Sequence, residues 1–396
     1  MIQALLQETV APHLAELARC RSAAELEAHP RYRSLEPALR RLLTTPEVGD
    51  FTATVAPPRP RYRILAWNVE RGAQLDGQIE AFRSHPYLKT ADVILLMETD
   101  LGMARSGNRD VARTLARELG LHYAFVPSYL NLTNGSGLER GIRGENTVGL
   151  QGNAVLSRYP IGSVRAIPLR NGIDKMASPE KRIGCLAALA AGIEFPNFPL
   201  TAVSTHLDAQ SSQRHRRDQM RDILDGLPAG GPVLLGGDWN TTTYDSSRAL
   251  WAILGFGLRV LMGVDSVMRN HYLHPYRLFE KELFAQLERR GFDYRASNLL
   301  GERTICYDQA DPRTYAALRD WVPSWCFPFI RWSLRHHGGR CPFKIDWFAA
   351  RGLRCENPVV IHDLGEDRAA PLSDHDAIGV EVIVPGQDHH GRVSHV

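Results

Sequence analysis

Ten short apolar runs constrain the fold of this chain more than any other feature. They are YRILAWNV, ADVILLME, HYAFVPSY, GNAVLSRY, CLAALAAGIEF, LTAVSTHL, PVLLGGDW, KIDWFAA, NPVVIH and AIGVEVIV, spread from residue 61 to about residue 385. Their lengths and bounding turn residues suit strands. Helix-like stretches such as Val111 to Leu119 and Arg214 to Leu224 separate only some of them. Many strands with fewer helices predict an α/β (α+β) chain built as a four-layer sandwich, two mixed β-sheets packed face to face and flanked by helices.

The rest of the chain divides around that block. Residues 1–60 predict an N-terminal helical extension, with Leu5, Leu6, Val10, Leu14, Leu17, Leu35, Leu39 and Leu42 at helical spacing, a break at Pro30 and the proline-rich linker TVAPPRPRY. Residues 61–385 predict the main domain, with an aromatic-, arginine- and histidine-rich insertion at about 255–340, and residues 386–396 a C-terminal tail. Within the insertion, Trp321, Trp325, Phe327, Phe329 and Trp332 suit a lipid- or base-stacking surface. The commoner outcome for such a cluster is the packed core of the insertion.

Composition leaves the substrate class open. At 396 residues, with 44% hydrophobic and 23% charged residues, the sequence is that of a globular protein. A net charge of +3 is too small to specify nucleic acid. The six cysteines lack CxxC spacing and predict buried reduced thiols; a zinc site from Cys326, Cys341 and the His336/His337 pair is the alternative. No stretch of eighteen apolar residues predicts a membrane span, and the N-terminus lacks the pattern of a signal peptide, so the expected location is cytoplasmic.

Six segments carry residues of catalytic type at the borders of strand-like runs. ILAWNVERG holds Asn68 and Glu70, ADVILLMETD holds Glu98, AVSTHLDA holds His206, VLLGGDWN holds Asp238 and Asn240, KIDWFAA holds Asp346, and PLSDHDAIGV holds Ser373, Asp374 and His375. On an extended segment, residues two apart share a face, which predicts that Asn68 and Glu70, and Asp238 and Asn240, point together. Glu98 follows five apolar residues, so a carboxylate arrives at the end of a buried strand; burying it alone is costly, and a cation offsets that cost.

Taken in order, these segments resemble the endonuclease/exonuclease/phosphatase superfamily, to which DNase I-like nucleases, abasic-site endonucleases, neutral sphingomyelinases and inositol polyphosphate phosphatases belong. GLQGNAVLSRYPI, with Asn153, is similar to that family's central strand and turn. The resemblance spans roughly residues 61 to 385 and skips most of the insertion. It implies Glu98 as the principal Mg²⁺ (or Mn²⁺) ligand, with Asn68, Glu70 and Asp374 around the metal. It implies Asp238 as the residue that orients or deprotonates water, Asn240 on the scissile phosphate, His206 and His375 as donors to phosphate oxygens, and Asp346 as the partner that sets the His375 tautomer. Asn68 and Asn153 would contact substrate. Two departures stand out: Met97 replaces the glutamine often found before the metal glutamate, and no residue matches the tyrosine of abasic-site enzymes.

The physical requirements converge on the same set. Magnesium keeps several waters and needs only one or two carboxylates beside a phosphate. In-line displacement then needs a placed water and donors for the phosphate oxygens, and no covalent nucleophile. Arg143, with Arg140 and Glu145 in the loop NGSGLERGIRGENTVG, offers a clamp for a polyanion. Arg214, Arg216, Arg217 and Arg221 lie on a basic helix face whose commoner outcome is solvation, with contact to a nucleic-acid backbone as the alternative. The expected function is hydrolysis of a phosphodiester, in nucleic acid, a phospholipid headgroup or a small molecule. A catalytically silent scaffold on the same fold is the alternative.

Overall fold

The computed structural model describes residues 6–319, 322–365 and 370–383. All ten apolar runs are strands. The larger sheet runs in the order Glu47–Asp50, His122–Asn131, Leu150–Ser157, Val93–Leu101, Arg61–Asn68, Ala377–Ile383, Arg354–Ile361, with Arg182–Gly184 also on His122–Asn131. The second runs Asp346–Arg351, Val233–Asp238, Pro199–His206, Ala187–Glu194, Ile161–Pro168. Each sheet contains one parallel pair, Arg61–Asn68 with Val93–Leu101 and Pro199–His206 with Val233–Asp238. Crossover helices Leu75–Ser84 and Gln213–Gly226 connect those pairs.

Side-chain alternation sorts the core into layers. Ile64 and Ala66 face the second sheet, where Leu200, Ala202, Leu234 and Phe348 meet them. Leu65 and Trp67, one residue out of phase, face the outer helices. On the far side, Val203, Val233 and Leu235 pack against Met220, Ile223 and Leu224 of Gln213–Gly226. The result is the four-layer α/β sandwich.

The N-terminal helices share the outer cluster of the larger sheet. Leu26, Leu35, Leu39 and Leu42 are buried in one apolar group with Leu130, Leu156 and Ile183. Glu47–Asp50 then adds an antiparallel edge strand to His122–Asn131. That strand and Ile161–Pro168 carried no clear sequence signal, because edge strands are half-exposed and mix polar with apolar positions. The segment between Asn240 and Asp346 contributes the helices Ala249–Leu261, Lys281–Arg289, Pro312–Arg319 and Phe327–Ser333 and the ribbon Ile305–Asp308/Arg340–Phe343.

The aromatic cluster of that segment departs from the packed-core expectation. Phe327 is buried, but Trp325, Phe329 and Trp332 are exposed, and Trp321 lies outside the described residues, as does the tail 386–396. The short helix Phe327–Ser333 presents only one face inward, and tryptophans on its other face have no layer above them. The zinc alternative finds no support: His337 pairs with Asp265, Cys341 packs near Cys306, and among the described residues no grouping of Cys326, Cys341, His336 and His337 ligand atoms within 4.8 Å occurs. Leu39→Ala should cost about 2–4 kcal/mol in chemical denaturation, the range for emptying a buried leucine site. A cost under about 1 kcal/mol would show that the N-terminal helices add little to the core.

Candidate active site

Four of the predicted residues reach one place because each ends a series facing the gap between the sheets. Asn68 follows Ile64 and Ala66; His206 follows Leu200, Ala202 and Ser204; Asp238 follows Leu234 and Gly236; Asp346 precedes Phe348 and Ala350. Register then aligns three of them across adjacent strands, since Asp238 pairs with His206 on one side and with Asp346 on the other. The site lies at the C-terminal ends of the parallel strands, where open sheets present ligands. Gly237 makes the approach possible: its φ is +143°, and a Cβ there would lie 2.0 Å from the Thr205 carbonyl oxygen.

Hydrogen bonds join these side chains into one network. His375 Nδ1 lies 3.0 Å from Asp346 Oδ2, and His375 Nε2 lies 3.6 Å from Asp238 Oδ2. His206 Nε2 is 3.5 Å from the same Asp238 oxygen and 3.9 Å from Glu98 Oε1. Asn68 Nδ2 donates to Asp238 Oδ2 at 3.1 Å and to Glu98 Oε1 at 3.3 Å. The Ser373 hydroxyl donates to the Asn68 carbonyl at 2.7 Å and accepts the His375 N–H at 3.1 Å, tying the last segment to the first. Thr304 Oγ accepts the Asp346 N–H at 3.0 Å.

Charge follows from this packing. Burial works against a charged His375, but Asp346, Asp238 and Asp374 outweigh it and hold the imidazole well above its ordinary range. Burial pushes Asp238 up to about 6, with His375 and His206 pulling the other way. Burial would also raise Glu98, but Arg71, His206 and His375 bring it down to about 2, so it is ionised at any working pH.

Glu98 is aimed by a β-bulge. Between Leu96 and Thr99 the register against Leu150–Ser157 shifts, so that Met97 and Glu98 together oppose Asn153. Glu98 has φ +56°, Asn240 +48°, Glu70 +44° and Arg71 +65°. These are four of the six non-glycine residues with positive φ among the described residues, and such strain concentrates at functional sites. It also revises one sequence expectation. The strands end at Asn68 and Asp238, so Glu70 and Asn240 reach the site through left-handed turns and not by alternation. Asn240 donates its N–H to Asp238 Oδ1 at 2.8 Å and its Nδ2 to the Leu207 carbonyl at 2.9 Å.

The remaining predicted residues separate into near and far. Glu70 and Asp374 line the same cavity as Glu98, His206 and Asn240. Asn153 is buried, donates to the Ala187 carbonyl at 2.9 Å and lines a small hollow with Glu98 and His206. Arg143 is corrected: it is exposed and does not line the cavity, because Asn134 Nδ2 holds the carbonyls on both sides of it, those of Ile142 and Gly144, at 3.0 Å. The basic helix is corrected as well. Arg216 is fully buried on Glu280, and Arg217 and Arg221 pair with Asp218, which leaves Arg214 alone exposed.

Two arginines outside the motif reading, Arg71 and Arg313, face the site instead. Arg71 Nε lies 3.5 Å from Glu98 and its Nη1 2.8 Å from Glu139. Arg313, on the helix Pro312–Arg319, lies 3.2 Å from Glu70 and 2.9 Å from Asp311. Arg71 follows Glu70 directly and was within reach of a motif reading; Arg313 is 243 positions away and was not.

The donor set fits a hard divalent cation. Glu70, Glu98 and Asp374 bring carboxylates to the lining of one cavity, and burial together with the charge of Asp374 pushes Glu70 up to about 8 despite Arg313 and Arg71. That excess of carboxylate is what a bound cation relieves. Ligand atoms of Asp238, Asp346 and His375 also lie within 4.8 Å of one another, a grouping that could hold an ion, although the His375 Nδ1 contact to Asp346 is a hydrogen bond.

The sequence matches the model of the Endonuclease/Exonuclease/phosphatase family over residues 65–375. No curated protein matches it. Among solved structures, an endonuclease/exonuclease/phosphatase from Beutenbergia cavernae is 16% identical, with a TM-score of 0.49, and the match covers 82% of this chain and 72% of that one. An AP endonuclease from Archaeoglobus fulgidus is 14% identical, with a TM-score of 0.45 and coverage of 81% and 98%. A beta toxin from Staphylococcus aureus is 14% identical, with a TM-score of 0.43 and coverage of 81% and 99%. The chain belongs to the endonuclease/exonuclease/phosphatase family, a superfamily of phosphoesterases and nucleases.

Proposed function

We propose that the protein is a Mg²⁺- or Mn²⁺-dependent phosphodiesterase in which water attacks phosphorus in line. The observation that carries this reading is the convergence of Asp238, His206 and the His375–Asp346 pair beside Glu98, with Glu98 and His206 themselves on the cavity wall. Asp238 orients the water and takes a proton from it as its oxygen bonds to phosphorus. The P–O bond to the leaving alcohol breaks, and the alcohol oxygen collects a proton. His206 and a protonated His375 donate to phosphate oxygens as charge builds there, and Asp346 keeps His375 oriented and charged. Asn240 and Asn68 offer amides to the phosphate, and Asn153, in the hollow it shares with Glu98 and His206, is a further substrate contact. Glu98, with Asn68, Glu70 and Asp374, would hold the cation, which supplies charge neutralisation on the phosphate. The family is typically dependent on divalent metals, in agreement with this oxygen-rich wall. Six cysteines, none of them in a disulfide, favour a reducing compartment, the cytoplasm.

Three results follow. With bis-p-nitrophenyl phosphate and Mn²⁺ or Mg²⁺, Asp238→Asn and His375→Gln should each lower kcat about 10²–10⁴-fold, the scale of positioned acid–base and electrostatic groups. Unchanged rates in both would end the assignment.

The pH dependence of kcat/KM should rise through about pH 6 as Asp238 loses its proton and fall only above the ordinary imidazole range, where His375 loses its own. Asp346→Asn removes a charge that raises His375, so the falling limb should move to lower pH. A limb that stays in place would separate His375 from the reaction.

Mg²⁺ or Mn²⁺ in millimolar amounts should raise the Tm of the full chain, and Glu98→Gln should abolish the rise, because a ligand selective for the native state stabilises it by mass action. A silent scaffold would show no metal-dependent change.

A further inference from the structure

We propose that the substrate is a long-chain lipid phosphodiester drawn from a bilayer, its aliphatic chains held by the 244–343 insertion; this rests on the phosphodiesterase reading above. The cavity that contains Glu98, His206, Asn240 and Asp374 does not end at them. It continues to a volume of about 1650 Å³, beyond the roughly 300–1,000 Å³ of sites that hold drug-sized molecules. Its far wall is apolar and comes from the insertion, with Ala252, Phe256, Cys326, Ile330, Leu334 and Phe343 among the lining residues. The polar end suits a phosphodiester, and the apolar end suits hydrocarbon.

The charges of the lining oppose a polynucleotide. Binding a phosphate backbone draws on cations free to displace counterions. Here every lysine and arginine of the lining is engaged within the protein. Arg71 pairs with Glu98 and Glu139, Arg105 with Asp100 and Glu180, Lys175 with Asp208, Arg182 with Glu180, and Arg313 with Glu70 and Asp311. Arg259 donates to the carbonyls of Thr243 and Gly255 and lies against the rings of Phe279 and Tyr244.

The mouth of the cavity is apolar on its outer surface as well. Leu254, Leu258 and Leu261 line the cavity and are also exposed, Leu261 to 85%. Trp325, 68% exposed, and Phe329 do the same, and Trp332, 50% exposed, stacks on Phe329 with ring centroids 5.6 Å apart. Phe256 meets Phe329 edge to face at 5.5 Å, so the helices Ala249–Leu261 and Phe327–Ser333 form one patch. Among the described residues no single helix is long and apolar enough to cross a membrane, but Ala249–Leu261 with Val264–Tyr272 has membrane-like hydropathy and bends by 106°. The exposed leucines of Ala249–Leu261, with tryptophans beside them and the charged Asp265 and Arg269 next along the chain, suit a surface that sits in the headgroup boundary and does not span. Exposed leucine and tryptophan around the opening of an apolar cavity let hydrocarbon pass from bilayer to protein without crossing water.

The test uses the full chain with Mn²⁺ or Mg²⁺ on four substrates: bis-p-nitrophenyl phosphate, dibutyryl phosphatidylcholine, dioleoyl phospholipid vesicles of mixed headgroups, and a DNA oligonucleotide. The expected result is faster hydrolysis of the vesicles than of the dibutyryl lipid or the DNA. Trp251 is 50% exposed on the helix Ala249–Leu261, and Trp251→Glu with Trp332→Glu should lower the ratio of the vesicle rate to the bis-p-nitrophenyl phosphate rate about tenfold or more. Flotation of the inactive Asp238→Asn protein with the same vesicles reads the docking without turnover, and the tryptophan changes should abolish it. Hydrolysis of bis-p-nitrophenyl phosphate with no preference for long chains, a higher rate on DNA, or a ratio unmoved by the tryptophan changes overturns the lipid assignment and leaves the phosphodiesterase reading standing. No hydrolysis of any of the four overturns both.

Discussion

The contact of His375 with Asp346 and Asp238 is the interaction on which the rest of the site depends. Three ionisable groups share a nearly water-free space, and such an arrangement persists only if their charges compensate. An imidazolium between two carboxylates does that, with His206 supplying a second partner for Asp238. The same compensation sets each group in its working form. Asp238 can accept a proton near neutrality, and His375 retains one there. Structural cohesion and chemical readiness are therefore one electrostatic arrangement, and removing any member leaves an uncompensated charge in the gap between the sheets.

The scaffold supplies what charge alone cannot, which is direction. Regular strands deliver Asn68, His206, Asp238 and Asp346 to one face, but regularity would also bury or misdirect Glu98. The bulge at Met97 and Glu98, and the left-handed turns at Glu70, Arg71 and Asn240, bend the backbone out of the repeat where the site needs it. Each such residue costs about 1–3 kcal/mol. The strand hydrogen bonds and three apolar layers around them offset that cost.

Much of this was legible in the sequence, for physical reasons that differ by residue. Apolar runs announce buried strands, so the two-sheet architecture could be read directly, and a polar residue closing such a run marks a strand end. His206, Asp238, Asp346 and His375 were readable on that basis. Period-two alternation explained Asn68 and Asp238 but misjudged Glu70 and Asn240, because where a strand stops is a tertiary matter. Arg143 looked like a ligand because loop arginines carry no sign of which way they face. Arg313 was invisible, since its meeting with Glu70 exists only after the insertion folds back across the opening. The exposed tryptophans read as core because a short aromatic helix looks alike whether or not a further layer covers it.

Asp238 pairs with His206 on one neighbour and Asp346 on the other, so the site depends on the register of both strands. Shifting either neighbour by a single residue would turn its whole alternating set over, sending the imidazole or the carboxylate outward and Leu207 or Trp347 toward the site. Chemistry here is thus proofread by the ladder of amides behind it: a misaligned molecule forfeits its apolar layer together with its reactivity, so a population that is folded but miswired has no stable form in which to accumulate.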